Sequence, residues 1–244
     1  MRVETNERLA HRNRQIAQYL FFATFGILIL GLIVINQQTS TISQSNVLLI
    51  TILQTAILPV AFITTIVSVR MTNLWVRQPR PEVVIREGLK GIGNKSVLYS
   101  YYHFPARHVL ICPQGVYAIV TRFQDGRFTV EGDRWTSHKS AVKRLAGIFR
   151  FDGMGNPTAD AQRAAAKIQA ILQPIAPNVE VHPLIVFVDP KADITMINPT
   201  VPVVYPLGKK PPVLKDILRD VGKDSRMSLS PEQIRAFEEA TLPH

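Results

Sequence analysis

The sequence of 244 residues contains a single cysteine, Cys112, and charged residues make up only 19% of it. One cysteine excludes an intrachain disulfide framework and a cysteine-based metal cluster, so Cys112 is expected to be a small buried side chain at a strand end. The few charges are also unevenly placed, because none of the 55 positions between Arg14 and Arg70 is Asp, Glu, Lys or Arg. So long a stretch without charge is not typical of a wholly soluble protein.

Two apolar runs fill most of this uncharged stretch, over residues 16–35 and 47–69. A helix needs about 20 apolar residues to cross the hydrocarbon core, so each run predicts a transmembrane helix. The segment between them is polar, uncharged and short, and the two runs therefore predict a helical hairpin. Thr, Ser and Gln side chains of the second run, with Gly26 and Gly31 of the first, are expected to serve packing within the hairpin, and a homodimer contact is the alternative.

Arginines flank the hairpin on both sides and are absent from its turn. Four precede the first run and four follow the second, namely Arg2, Arg8, Arg12, Arg14, Arg70, Arg77, Arg80 and Arg86. The positive-inside rule then predicts a cell-membrane protein with two spans, both termini in the cytoplasm and the lipid bilayer as a partner. A cleaved signal peptide is an alternative for the first run, but the run is longer than a usual signal core and no A-x-A site follows it. Two buried helices of a soluble protein are the other alternative, and runs that are apolar on every side argue against it.

The sequence after the hairpin predicts a domain of helices and strands. Residues 82–100 suggest a helix interrupted by glycines, 108–112 and 116–121 a β-hairpin, and 127–131 a third strand. Asn156 and Pro157 are a cap and a first helical residue, which predicts a helix to about Leu172. Further predicted elements are strands at 181–188 and 201–205, a helix at 213–221 and a helix opened by a capping box at Ser230. We therefore predict an α/β fold, divided into an N-terminal cytoplasmic segment 1–15, the transmembrane hairpin 16–69, a basic juxtamembrane linker 70–81, the domain 82–222 and a C-terminal helical segment 223–244.

Residues 107–122 read RHVLICPQGVYAIVTR and have the pattern of a strand, a turn and a returning strand. In one nuclease family the corresponding segment begins with Asp-His-Val and ends with Glu-x-Lys. With Gly126, Trp135, Asn156-Pro157 and the strand ending at Val188, the stretch from about residue 88 to residue 218 resembles a nuclease-related domain (NERD), a branch of the PD-(D/E)xK nuclease superfamily. The resemblance implies a restriction-endonuclease-like mixed sheet.

In that family, an acid on the first helix, an Asp on one strand and a Glu on the next hold a divalent cation through oxygen ligands, and a Lys two positions after the Glu lies on the same strand face. The cation activates water for phosphodiester cleavage. The resemblance places Asn94, Arg107, Val120 and Arg122 at these four positions, and Asp160 where the family often has a Gln after Asn-Pro. Valine offers no ligand atom and arginine repels a cation. We therefore expect the nuclease fold without its metal site, with no catalytic residue and no cofactor.

Three other acids and two histidines are candidates for a replacement site. Asp125, Glu131 and Asp133 lie close in sequence and are expected to be solvated turn residues. His103 and His108 flank the first strand of the hairpin and are expected to be structural. An alternative keeps these acids as the ligands of Mg²⁺ in a divergent membrane-bound nuclease.

A basic segment at residues 134–150 contains no acid. Its cationic residues are Arg134, Lys139, Lys143, Arg144 and Arg150. A solvated basic face, a contact with anionic lipid and a contact with the nucleic-acid backbone all fit this pattern.

The main hypothesis from the sequence is a membrane-anchored, catalytically inactive nuclease-related domain that acts as a binding or scaffold module. Nucleic acid or another membrane protein is its expected partner, and the sequence leaves its oligomeric state open.

Overall fold

The structure, a computed structural model, describes residues 1–36, 44–92, 96–112, 115–138, 153–208, 211–221 and 229–242. The helices are α1 (Glu7–Ile35), α2 (Gln44–Trp75), α3 (Pro81–Gly88), α4 (Pro157–Leu172), α5 (Leu214–Val221) and α6 (Pro231–Thr241). The strands are β1 (Arg2–Thr5), β2 (Val97–Ser100), β3 (His108–Cys112), β4 (Gly115–Arg122), β5 (Gly126–Glu131), β6 (Arg134–Ser137), β7 (Val181–Phe187), β8 (Ala192–Ile197) and β9 (Val203–Val204).

The chain divides into two compact units. The α/β unit is built from residues 1–7, 79–141 and 154–244, and the helical unit from residues 8–78 and 142–153. This confirms the predicted architecture of two long apolar helices followed by a mixed α/β domain.

The helical unit is an antiparallel pair held by small side chains. In α1 the buried residues recur at every seventh position, as Ala10, Ala17, Thr24 and Gly31, and in α2 they are Ile57, Ala61 and Ser68. Two polar contacts join the helices: the Thr24 hydroxyl donates to the carbonyl of Thr64 at 3.3 Å, and the Gln54 amide donates to that of Val34 at 3.0 Å. Small residues let helices approach closely in an apolar environment, where side-chain hydrogen bonds across the interface add to the packing.

The outward faces of both helices are apolar. Tyr19, Phe22 and Leu48 are about 70% exposed, at 71%, 68% and 74%, and most of their large apolar neighbours are exposed as well. A monomer in water rarely shows so large an apolar surface. By length and composition, α1 and α2 are each able to cross a membrane.

The main sheet of the α/β unit has the strand order β1-β2-β3-β4-β7-β9. Strands β2, β3 and β4 pair antiparallel, whereas β1 joins β2, β7 joins β4 and β9 joins β7 in parallel. Parallel neighbours need a crossover, and α4 provides it between β4 and β7.

Each face of this sheet packs in its own apolar cluster. Alternation along β4 sends Val116, Ala118 and Val120 toward α4 and α6, and sends Tyr117 and Ile119 toward α3 and α5. The helices therefore cover both faces of the sheet, which explains why all five residues of β3 are buried.

A second sheet of order β6-β5-β8 packs against the first of these clusters through Phe128, Val130 and Ala192. Its opposite face is solvated, since Arg127, Asp193 and Thr195 are exposed. The sequence did not predict β6 or β8.

The predicted helix over residues 82–100 is wrong in its second half. Helix α3 ends at Gly88, where a Cβ atom would lie 2.1 Å from the carbonyl oxygen of Pro206, and Gly91 has φ +86°. Gly91, just past the helix end, has a left-handed conformation through which a helix does not continue, and the apolar residues from Val97 form the buried strand β2 instead.

The N-terminal residues belong to the α/β unit rather than to a separate segment. Strand β1 pairs with β2 over Arg2–Thr5, and the Arg2 guanidinium contacts both the Tyr99 hydroxyl and the Glu238 carboxylate of α6. The C-terminal helix is equally part of this unit, because Phe237 is fully buried.

Candidate functional site

Three of the four family positions lie along two neighbouring strands. Val120 and Arg122 are two residues apart on β4, so their side chains leave the same face of the sheet. Arg107 directly precedes β3, and the register His108↔Ile119 places it opposite Val120. Its carbonyl accepts a hydrogen bond from the Tyr101 amide at 2.7 Å. The fourth position, Asn94, lies outside the described residues.

Val120 takes part in the apolar core. Its side chain is 8% exposed and belongs to the cluster under α4. A hydrocarbon side chain in this place cannot donate an electron pair to a cation.

Arg122 forms an ion pair with Asp160. Its Nη2 lies 2.5 Å from the Asp160 Oδ2 and its Nη1 donates to the Thr121 carbonyl at 3.2 Å. The Arg122 side chain is only 13% exposed. Burial lowers the pKa of the guanidinium, and the Asp160 carboxylate opposes this shift. An arginine starts from so high a pKa that it remains charged at neutral pH, so a charged and mostly buried cation depends on this one carboxylate.

Asp160 is placed by the start of α4. The Asn156 side chain caps the helix by accepting from the Ala159 amide at 3.1 Å, and Pro157 occupies the first turn, as the sequence predicted. A carboxylate in the first turn is favoured by the positive end of the helix dipole. Asp160 also lies 3.6 Å from the Arg163 guanidinium. The Asp160 carboxylate therefore forms ion pairs with both Arg122 and Arg163.

Trp135 of β6 fixes this end of α4 to the sheet. Its indole N–H donates to the Thr158 hydroxyl at 2.8 Å, and its ring stacks on Phe187 of β7 with centroids 5.8 Å apart. The neighbour of Phe187 in the sheet is Arg122. The aromatic pair thus holds the helix start that carries Asp160 beside the strand that carries Arg122.

The arrangement does not fit the metal ion that the family uses. At the described positions, Val120 and Arg107 stand where the resemblance requires oxygen ligands, Arg122 stands at the position of the family's lysine, and the Asp160 carboxylate is paired with Arg122. Within the described part of the chain, no group of three or more His, Cys, Asp and Glu side chains is close enough to hold a metal ion.

The basic segment is described only as far as His138, so Arg134 is the one of its five cationic residues within the described part of the chain. Arg134 is exposed and opens β6 opposite Glu131, whereas Lys139, Lys143, Arg144 and Arg150 lie outside the described residues. Glu131 and Asp133 are exposed at the β5–β6 turn, and Asp125 lies between β4 and β5.

The two histidines are buried. The His108 ring contacts the Ser100 hydroxyl at 3.0 Å through Nδ1, and the His103 Nε2 contacts the Thr241 hydroxyl of α6 at 2.9 Å. Burial lowers the pKa of His108 to about 3, helped by the charge of Arg107, and burial lowers the pKa of His103 to about 4. Both are neutral at physiological pH and inaccessible to a substrate, as their predicted structural role requires.

The fold defines a mixed α/β domain that follows two long apolar helices. The family model of the nuclease-related domain, NERD, matches residues 84–188, a range that begins in α3 and ends just after β7. The chain therefore carries a nuclease-related domain, which confirms the resemblance seen in its sequence. Neither a curated protein nor a solved structure gives a significant match to the chain.

Proposed function

We propose that this protein is a membrane-anchored nuclease-related domain that does not cleave nucleic acid and binds its phosphate backbone instead. The observation that carries the proposal is the Arg122–Asp160 ion pair next to Val120. By the family resemblance, Val120 and Arg122 stand at the positions of the Glu and the Lys that the cleavage chemistry needs, which supports binding without cleavage.

The charge balance supports a polyanionic ligand. From Arg70 onward the sequence has 24 lysine and arginine residues against 16 aspartate and glutamate residues, a net charge of +8. Affinity for nucleic acid depends mainly on such cations, because each neutralised phosphate releases counterions. Arg107 and Arg122 supply cations at the site, and the basic segment 134–150 supplies more.

Membrane anchoring is supported by α1 and α2 and by the pairing of β1 with β2. Strand β1 comes before α1 and the rest of the sheet comes after α2, yet β1 and β2 are hydrogen-bonded neighbours. The two ends of the helical pair therefore lead into one domain, as in a hairpin that crosses the membrane twice. The arginines at both ends of the pair favour the cytoplasmic face for this domain.

A single substitution separates the proposed function from the nuclease alternative. Asp160→Asn removes the negative charge beside Arg122. If the domain binds phosphate, affinity for a short labelled DNA duplex rises about two- to fivefold, which is the scale of one partly exposed ion pair. If the domain is a nuclease that uses Asp160 as a ligand, the same change abolishes cleavage.

The measurement uses the purified full-length chain in detergent. DNA binding is followed by fluorescence anisotropy at several salt concentrations, and cleavage is followed on a gel with Mg²⁺ or Mn²⁺. Glu180→Gln is the control, since Glu180 is exposed and loses the same charge away from the site. Metal-dependent cleavage by the wild type would overturn the proposal if it is abolished by Asp160→Asn or by the combined change Asp125→Asn, Glu131→Gln and Asp133→Asn. DNA binding that responds to neither salt nor Asp160→Asn would also overturn it.

A further inference from the structure

The two helices of the helical unit continue beyond their apolar runs and carry arginines there. Helix α1 begins at Glu7, nine residues before the first apolar run, and α2 continues to Trp75, six residues past the second. Arg8, Arg12, Arg14 and Arg70 therefore sit on regular helix rather than on flexible chain.

The burial pattern gives the direction of these side chains. Ala10 is fully buried and Ser68 is 2% exposed, and they continue the inner stripe of the pair. Arg8 and Arg12, two residues on either side of Ala10, are exposed, and so is Arg70, two residues after Ser68. A half-turn or so separates each arginine from the buried stripe, so the three guanidinium groups point outward.

Nothing in the described chain neutralises these three charges. No acid occurs between Glu7 and Glu82, and Arg8, Arg12 and Arg70 take no part in the ion pairs of the described residues. Arg8 and Arg12 are four residues apart on one helix face, where two like charges repel. An anion between them would relieve this repulsion.

The depth of the arginines matches the polar layer of a bilayer. At about 1.5 Å per residue, Arg70 lies about 2 Å, Arg12 about 6 Å and Arg8 about 12 Å beyond the ends of the apolar runs. The headgroup layer on each side of the hydrocarbon core is roughly 5–8 Å thick. Arg12 and Arg70 fall inside this layer, and the long side chain of Arg8 reaches it.

We infer that Arg8, Arg12 and Arg70 form a binding surface for anionic phospholipid headgroups. The surface adjoins helix faces that must lie in lipid, which favours headgroups over nucleic acid as its ligand. This inference rests on the membrane anchoring in the proposed function and adds the lipid class that the anchor selects.

Trp75 at the end of α2 gives a local readout. The full-length chain with Trp135→Phe keeps one tryptophan and is reconstituted in bilayers of mixed phosphatidylglycerol and phosphatidylcholine, with brominated acyl chains on either one lipid or the other. Quenching of Trp75 by brominated phosphatidylglycerol is divided by quenching by brominated phosphatidylcholine at equal mole fraction. We expect this ratio to exceed about two, because each basic residue near the surface favours anionic lipid several-fold.

The triple variant Arg8→Gln, Arg12→Gln, Arg70→Gln should bring the ratio to about one. The matched control Arg127→Gln, Lys167→Gln, Lys191→Gln loses the same charge from exposed positions of the α/β unit and should keep the wild-type ratio. A wild-type ratio of one, or an equal fall in both triple variants, would overturn the lipid surface.

If the chain is not anchored in the membrane at all, neither brominated lipid quenches Trp75, and this result is distinct from a quenching ratio of one. A short DNA duplex is added as a last arm. If it displaces brominated phosphatidylglycerol from the wild type, and the Arg8, Arg12, Arg70 variant no longer binds it, the surface belongs to nucleic acid and the lipid inference fails.

Discussion

Acid should unfold the α/β unit because two histidines are buried in it as neutral rings. His103 lies against Phe237, with ring centroids 4.9 Å apart, and the rings of Tyr99 and Tyr102 are 5.5 and 6.2 Å away. Its polar contact is the neutral hydroxyl of Thr241. Burial in these surroundings disfavours the imidazolium and lowers the pKa of His103.

His108 lies on the other face of the sheet. It contacts the Ser100 hydroxyl, its ring is 5.2 Å from that of Tyr101, and its Nε2 is buried without a hydrogen-bond partner. The nearby charge of Arg107 works against protonation in addition to burial. Protonating His108 therefore places a second cation beside the first inside the protein.

Proton linkage determines that acid lowers the stability of the folded state. Each histidine has a pKa of about 6.5 when unfolded, whereas the folded values are about 4 for His103 and about 3 for His108. Below pH 6.5 the unfolded chain binds two protons that the folded chain does not, so stability falls as pH falls. Between pH 6.5 and its folded pKa, each histidine lowers the free energy of unfolding by about 1.4 kcal/mol per pH unit. At pH 4.5 the sum is about 5 kcal/mol, which is comparable with the whole stability of a typical domain.

The assay is urea unfolding of the full-length chain in detergent between pH 7 and pH 4.5. Fluorescence of Trp135 reports on the α/β unit when Trp75 is replaced by Phe. The free energy of unfolding should fall with a slope approaching two protons per molecule. His103→Gln and His108→Gln should each remove about one proton from that slope, even if they lower stability at neutral pH.

Thr241→Val is the control, because it removes a contact of His103 without removing a titrating group and should leave the slope in place. A double histidine variant that keeps the wild-type slope would refute the reasoning, since other groups would then account for the acid sensitivity.

Two further predictions concern close packing. Gly88→Ala should destabilise the α/β unit by about 3 kcal/mol in the same urea assay. The added Cβ would lie 2.1 Å from the Pro206 carbonyl oxygen, so the backbone must shift. Gly153→Ala is the control and should be close to neutral, because its Cβ would have nothing within 4 Å. Gly31→Leu should loosen the helical pair by about 1–3 kcal/mol and lower its melting temperature in detergent, because a Cβ at Gly31 already lies 3.6 Å from Ile57. Gly26→Leu, where nothing lies within 4 Å, is the matched control, and equal losses from both would contradict the packing described for Gly31.

The elements that the sequence predicted well are those specified by local chemistry. Asn156 and Pro157 start α4, and Ser230 with Gln233 forms the capping box of α6, because each signal consists of hydrogen bonds between residues three positions apart. The long apolar helices and the hairpin of β3 and β4 are set by similarly short-range patterns.

The elements that were missed depend on distant partners. Strand β1 is four residues long and is half-exposed, so only its pairing with β2 almost a hundred residues later makes it a strand. Strand β8 is defined by its parallel register with β5 across more than sixty residues. No local pattern reports such pairings.

The site divides in the same way. Strand alternation alone predicts that Val120 and Arg122 share a face of β4. The partner of Arg122 could not be predicted, because Asp160 comes 38 residues later on a helix whose position depends on the packing of the sheet. The sequence therefore predicts that Val120 and Arg122 share a strand face, but it does not predict the ion pair between Arg122 and Asp160.

The pairing of β1 also decides which piece of the protein has to be studied. All four residues of β2 are buried, so removing β1 would leave the edge of an apolar strand uncovered. Met1 and Val3 pack against the cluster under α3 and α5, and Arg2 contacts Tyr99 and Glu238. A fragment that begins after the second apolar helix lacks all of these contacts. The helical pair lies in the sequence between β1 and the rest of its sheet, so a piece that lacks the helices also lacks β1. Binding therefore has to be measured on the whole chain.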